Sequence, residues 1–412
     1  MMNKLNSLRP FRAFALLLLT VSCSNENSLP SPTEVSIQKI IINTPNEQPV
    51  ESKEEYIENS LMTIFDEYGD IEFSKTMKIK GRGNMNWFEA KKKAYAVKFA
   101  EKESILGLPE GKSWVLLGNY YDKTLLRTDV ALYISEQMSK LEYTPRFGFV
   151  LFELNGNPQG IYQLGEKPRI SKHRVNAGND GFLLEIDAKA YADDDITFTT
   201  PHLAQPVNIK DPDVEMDDEN YNYVKEFVRT AEAALYSDDF TDEEEGYRKY
   251  MDIDSFVEWY LVNEIAKNND AIFYTSCYMS LERGGKLKMG PVWDFDWAFG
   301  GTTLNDNHLP EGFWVKYATW YGRLFEDPAF VAQVKRRFNE LYTDRQQIYD
   351  HIDFMNAALY KYLLEENRIW GRISPKEAEI EEVSGSHQEK VDALKAWIET
   401  RFQWLNGQLN AL

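Results

Sequence analysis

The chain has 412 residues, of which 43% are hydrophobic and 14% aromatic, so there is ample apolar material for a large core. Its formal net charge of −20 excludes nucleic acid as the expected partner, since such binders carry a basic face, and requires any phosphate site to be locally basic or metal-bridged. Two cysteines, Cys23 and Cys277, cannot build a disulfide framework or a cysteine zinc site.

In chain order, Lys4, Arg9 and Arg12 precede the short apolar run Phe14-Ala15-Leu16-Leu17-Leu18-Leu19, and Ser22-Cys23 follows. The run is too short for a spanning helix but suits a signal peptide over residues 1–22. Cys23 then stands where a bacterial lipobox places its lipidated cysteine, with Thr20 where that box usually has Leu. The alternative is an ordinary signal peptide with an incidental cysteine. Residues 23–34 read as a tether. The mature chain is therefore expected outside the cytoplasm, at the cell envelope, held to the membrane by lipid on Cys23.

Strand patterns follow over residues 35–42, 73–80 and 94–99. Residues 123–140 carry helical spacing. Residues 147–154 and 160–164 read as a hairpin around Asn155-Gly156-Asn157, and 182–186 as a further strand. Beyond about residue 215 the patterns turn helical, at 221–236, at 254–267 and through most of the remainder. A short hairpin over 274–289 around Arg283-Gly284-Gly285 interrupts them. Strands first and helices later is an α+β order, with a β-rich N-terminal lobe over 35–170, a mainly helical C-terminal lobe over 171–412 and a cleft between them.

The acidic runs Asp193-Asp194-Asp195 and Asp242-Glu243-Glu244-Glu245 lack EF-hand spacing and read as solvated loops or a helix start. Lys80-Gly81-Arg82-Gly83-Asn84 follows a strand. Its glycines would let amides approach an anion and Arg82 would add a phosphate fork, or the segment is a tight turn. Lys98 lies on a strand beyond Lys91-Lys92-Lys93 and points either into a cleft or into solvent. Glu136 either pairs with such a lysine or lies on a wet helix face. The most chemical segments are Asn268-Asn269-Asp270 and Trp293-Asp294-Phe295-Asp296. Read as a strand, the second places Asp294 and Asp296 on one side, as two hard oxygen ligands for Mg²⁺ or Mn²⁺. Asp270 would be a third carboxylate, acting as a base or orienting group. The bland reading makes Asp270 a helix cap and the pair structural acceptors. The five histidines show no ligand spacing, and Cys277 reads as a small buried hydrophobe.

The ordered set Lys80-Gly81-Arg82-Gly83-Asn84 with Trp87, Lys92-Lys93 with Tyr95 and Lys98, Leu106-Gly107-Leu108-Pro109, Trp114-Val115-Leu116-Leu117, Asp122-Lys123-Thr124-Leu125-Leu126-Arg127, Gly160-Ile161-Tyr162 with Glu166, and Pro291-Val292-Trp293-Asp294-Phe295-Asp296 resembles the CotH (spore coat protein H) family of atypical kinases over about residues 78–300. The resemblance implies a protein-kinase-like two-lobed fold and transfer of phosphate from ATP to Ser or Thr of a protein acceptor, with Mg²⁺ or Mn²⁺. It implies that Lys98, with Lys93 behind it, holds nucleotide phosphates. Arg82, Arg127 and Glu166 join the cofactor site. Asp270 orients or deprotonates the acceptor, Asp294 carries the metal and Asp296 assists. Kinase-like sites place a metal-binding Asn five positions after the catalytic Asp, where this chain has Thr275. A catalytically silent surface lipoprotein that binds or scaffolds is the alternative. A glycoside hydrolase is a third reading, with Asp294 and Asp296 poorly placed to flank a glycosidic bond.

Overall fold

The computed structural model describes residues 37–191, 195–371 and 386–412. The expected signal peptide, Cys23, the tether, Asp193 and Asp194 lie outside the described residues.

Seven strands close into a barrel: β1 (Gln38–Asn43), β2 (Ile57–Phe65), β3 (Ile71–Arg82), β4 (Ala94–Glu103), β5 (Gly111–Leu117), β6 (Phe147–Leu154) and β7 (Asn157–Glu166), in the order β1-β2-β3-β4-β5-β7-β6. The ring is antiparallel except where β1 lies parallel to β6 and shuts it, Gln38 opposite Val150 and Ile42 opposite Leu154. Alternate residues fill the interior, among them Ile40 and Ile42, Met77 and Ile79, Tyr95 and Val97, Trp114 and Leu116. The β6–β7 turn uses Asn155 at φ 50° and Gly156 at φ 73°, the left-handed pair that matches strand twist in a two-residue hairpin.

A second sheet, β8 (Phe182–Ile186), β9 (Thr197–Phe198), β10 (Val207–Asp211), β11 (Cys277–Leu281) and β12 (Leu287–Met289), runs β12-β11-β8-β10-β9. Its central strand β8 is buried on both faces. Phe182, Leu184 and Ile186 join the helical core. On the other face Leu183 and Tyr278 pack with Val115 of the barrel and with Trp293. Glu185 shares that face, opposite Tyr278 on one side and Asn208 on the other.

The helices are α1 (Met85–Phe88), α2 (Arg127–Tyr133), α3 (Glu219–Leu235), α4 (Ile253–Ala266), α5 (Thr319–Leu324), α6 (Pro328–Asp344), α7 (Gln346–Leu359), α8 (Leu363–Trp370) and α9 (His387–Ala411). Helix α4 is the hub: every residue from Phe256 to Ala266 is buried, as a helix apolar on all sides must be. The Asp252 side chain accepts from Ser255 N and caps its start. It ends at Lys267, left-handed at φ 45°, whose ammonium donates to the carbonyls of Asp306, Leu309 and Glu311.

The expected two-lobed protein-kinase-like fold is not what forms. The N-terminal strands close on themselves as a barrel, and the second half is organised around a five-stranded sheet, so it is not a mainly helical lobe. The parallel β1–β6 pairing is non-local and leaves no periodic trace. Strands such as β10, buried within the sheet and only five residues long, give no alternation to distinguish them from loop.

Candidate active site

The site lies where the barrel, the second sheet and the end of α4 meet. Strand β3 delivers Arg82, and Gly83, left-handed at φ 85°, turns the chain into α1. Gly81 is fixed by packing: a Cβ there would fall 2.5 Å from the Trp87 ring. Trp87 thus folds back over β3. Its neighbour Asn86 donates from Nδ2 to Asp296 Oδ2 at 2.9 Å. Arg82 lies 5.7 Å from the Trp293 ring. Arg82, Asn86, Trp293, Asp294 and Asp296 line one cleft.

The expected strand at Trp293–Asp296 is a loop, and Asp294 is left-handed at φ 64°. Backbone in that region costs about 1–3 kcal/mol at a non-glycine residue and persists only where surrounding structure enforces it. Phe273 and Ser276, at φ 62° and 57°, share it nearby. Ser276 Oγ donates to Asp294 Oδ2 at 3.4 Å. The two aspartates therefore meet in the cleft through a bent loop, not through strand alternation.

Asp270 sits in a short turn after α4, and this turn is held from several directions. Asn269 Nδ2 donates to Asp270 Oδ1 at 3.0 Å. Trp314 Nε1 donates to the Asn269 carbonyl at 3.0 Å, and Asn305 Nδ2 to Asn269 Oδ1 at 3.0 Å. Asn268 Nδ2 reaches Asn263 Oδ1 at 3.1 Å and the Trp293 carbonyl at 3.4 Å, joining the two aspartate segments. Thr275 is committed elsewhere: its hydroxyl donates to Asp187 Oδ1 at 2.6 Å, at the end of β8.

All three carboxyls are pushed toward the protonated form. Burial first, then the charge of Asp294, raise Asp270 to about 6. Burial and Asp294 raise Asp296 to about 7 against the hydrogen bond from Asn86. Burial raises Asp294 too, opposed by Arg82 and Ser276. Asp294 stays solvent-accessible inside the cleft, so its desolvation comes from crowding walls and not from full enclosure. Three like charges crowded together resist ionising at once. Among the described residues no three acidic, imidazole or thiol side chains form a closed ligand set. The donors present fit an ion such as Mg²⁺, which takes one or two carboxylates and completes its shell with water and phosphate oxygens.

The structure brings Asp270, Asp294, Asp296 and Arg82 together. It does not bring the other expected residues to them. Lys98 is exposed on the outer face of β4, opposite Lys78 and Ser113, because Val97 takes the interior. Lys93 donates to the Trp87 carbonyl at 2.6 Å and supports α1. Arg127 is ion-paired with buried Asp122 at 2.5 Å, beneath Gly301. Glu166, fully buried, accepts from Arg146 Nε and Nη2, both at 2.9 Å. Lys92 is the barrel's buried lysine, bound to Glu366 at 2.6 Å. Sequence reasoning missed Asp187, one residue beyond an expected strand. It also missed Asn86, which stood inside the Lys80–Trp87 segment with nothing to single it out.

No curated protein matches the chain. A family model described as CotH kinase protein matches residues 78–405, most of its length and all of the site just described. The chain belongs to the CotH kinase family.

Proposed function

We propose that the protein transfers the terminal phosphoryl group of ATP to a Ser or Thr hydroxyl of a protein acceptor, with Mg²⁺ or Mn²⁺. The observation that carries this reading is the trio Asp270, Asp294 and Asp296, gathered beside Arg82 with like charges crowded together and Asp294 held left-handed in its loop. Asp294 and Asp296 would hold the ion, which neutralises phosphate charge when bound. Asp270, with a pKa near 6, is ionised at neutral pH yet basic enough to accept the acceptor's proton. Arg82 offers a planar fork to phosphate oxygens. Most of the catalysis asked of such a site is positioning and charge neutralisation.

Titration calorimetry of ATP into the protein, with and without Mg²⁺ or Mn²⁺, tests the reading. Metal-dependent binding that disappears in Asp294→Ala is expected. Undiminished binding and transfer by that variant would remove the metal role of Asp294. A second reading, a catalytically silent binding or scaffold protein, draws on Thr275, whose hydroxyl is tied to Asp187 where kinase-like sites carry a metal-binding Asn. It requires that ATP not bind under any metal condition.

We also propose export and lipid attachment at Cys23, placing the protein at the cell envelope. Incorporation of labelled fatty acid that is lost in Cys23→Ser is the expected result.

A further inference from the structure

The bond from Asn86 Nδ2 to Asp296 Oδ2, 2.9 Å long, joins residues 210 positions apart. It runs from α1, on the barrel, to the loop that follows β12, and both residues line the same cleft. Only one oxygen of the carboxyl is engaged: Asp296 Oδ1 makes no hydrogen bond with the described residues. Asp294 is divided in the same way, with Oδ2 accepting from Ser276 Oγ at 3.4 Å and Oδ1 without a partner among the described residues. Each aspartate thus has one oxygen fixed by a neutral donor and one left over.

The short helix that carries Asn86 is seated from both sides. Toward the barrel, the Trp87 ring meets Tyr95 of the interior edge-on at 6.3 Å, and Lys93 Nζ donates to the Trp87 carbonyl at 2.6 Å. Lys53 Nζ donates to Asn84 Oδ1 at 3.2 Å, and Gly81 N to the Ser52 carbonyl at 2.8 Å. Toward the loop, Met85 and Trp297 both pack against the cluster of Ala90, Tyr120 and Tyr121, the Trp297 ring 6.2 Å from that of Tyr121. The residue before Asn86 and the residue after Asp296 therefore share one apolar contact, which holds the two segments in register for the bond between them. Asparagine suits this position chemically. Its amide donates without carrying charge, so it can orient a carboxylate without competing with a cation for it, as a lysine or arginine there would.

We propose that Asn86 is a positioning residue for the divalent ion: from the barrel it fixes Oδ2 of Asp296 and leaves Oδ1 to the metal. The inference rests on the ion reading of the cleft. Outer donors of this kind hold a ligating carboxylate in its binding pose, and their loss typically weakens a metal ten- to a hundredfold. The ligand and its orienting donor come from opposite walls of the cleft, so ion binding and the seating of α1 against the loop are linked. Whatever factor the seated helix adds to ion affinity, the ion returns to the seating of the helix.

The test is titration of Mn²⁺, followed by electron paramagnetic resonance, into the whole protein and its Asn86→Ala variant, with and without ATP. Mn²⁺ affinity is expected to fall about ten- to a hundredfold in Asn86→Ala. Equal Mn²⁺ affinity in the two proteins overturns the positioning role and leaves the ion reading standing, even where the variant is less stable. Mn²⁺ binding that weakens in Asn86→Ala while ATP does not bind keeps the positioning role and removes the nucleotide. No Mn²⁺ binding by the unaltered protein, with or without ATP, overturns both. A measurement on the unaltered protein covers the case of a variant that fails to fold. Hydrogen exchange at the amides of Trp87, Phe88, Glu89 and Ala90, which bond to Asn84 and Met85 carbonyls, should slow when Mn²⁺ is added. Exchange there that Mn²⁺ leaves unchanged, at a concentration that fills the site, overturns the linkage.

Discussion

The aspartates of the cleft carry a consequence for stability. A carboxyl whose folded pKa lies above its ordinary value takes up a proton on folding, so it destabilises the fold at high pH and releases that penalty as pH falls. For Asp296 the window runs from about 7 down to the ordinary carboxylate range near 4. Without divalent ions, stability in urea should therefore rise from about pH 8 to about pH 5 more steeply in the unaltered protein than in Asp296→Asn. The expected gap is on the order of 1–2 kcal/mol after solvent screening. His387, with its pKa lowered by burial, works in the opposite sense but equally in both proteins, so it cancels in the difference. Parallel pH profiles would show that Asp296 does not carry the strain. The aspartates themselves were legible in the sequence because carboxylates among Trp and Phe have few structural uses. The structure places Lys98 apart from the aspartates for a physical reason. Alternation separates two faces of a strand but does not say how far along a face the cleft extends: Ala94 lines it from the outer face of β4, and Lys98, four residues further along that face, is exposed.

Elements were readable where their cause is local. The β6–β7 hairpin follows from Asn155-Gly156, and the β11–β12 hairpin forms around Arg283-Gly284-Gly285. Where partners are distant the reading failed, as in the barrel closure of β1 on β6 and the loop at Trp293–Asp296. The docking of α8 on the barrel is one such distant contact. Lys92, 1% exposed, donates to Glu366 Oε1 and to the Ile161 carbonyl, both at 2.6 Å, while Ile161 N donates to Glu366 Oε2 at 2.7 Å. Gly160 leaves the room: a Cβ there would fall 2.2 Å from Glu366. Glu366→Leu strands the Lys92 ammonium and should cost about 3–5 kcal/mol in denaturant unfolding. The double variant Lys92→Met with Glu366→Leu should recover part of that loss, since no buried charge is left without its partner. A double variant as unstable as the sum of its single changes would mean that packing, not charge, joins α8 to β7.

At the scale of the molecule, the C-terminal helix supports the turn that carries Asp270 from behind. Arg401 of α9 is fully buried. Its Nε and Nη2 donate to the Glu264 carbonyl at 3.1 and 2.7 Å, and its Nη1 to the carbonyls of Pro310 and Gly312 at 2.8 and 2.7 Å. Glu264, near the end of α4, in turn accepts from the backbone N–H groups of Trp314 and Lys316. The indole of Trp314 then holds the Asn269 carbonyl beside Asp270. Asp294 and Asp296 are held from the opposite side, by Ser276 and Asn86. Apart from the long bond from Asn268 Nδ2 to the Trp293 carbonyl, the two halves of the site thus have different supports, and they should fail unequally. Arg401→Met leaves Glu264 buried without its guanidinium and should lower stability by about 3–5 kcal/mol. At a temperature where the variant is still folded, phosphoryl transfer should fall more than Mg²⁺-ATP affinity if the proposed roles hold, because Asp270, the proposed base, is displaced and Asp294 and Asp296, the proposed ion ligands, are not. Equal losses in both would mean that α9 holds the cleft as one rigid unit. Lost stability with unchanged transfer would confine Arg401 to the fold.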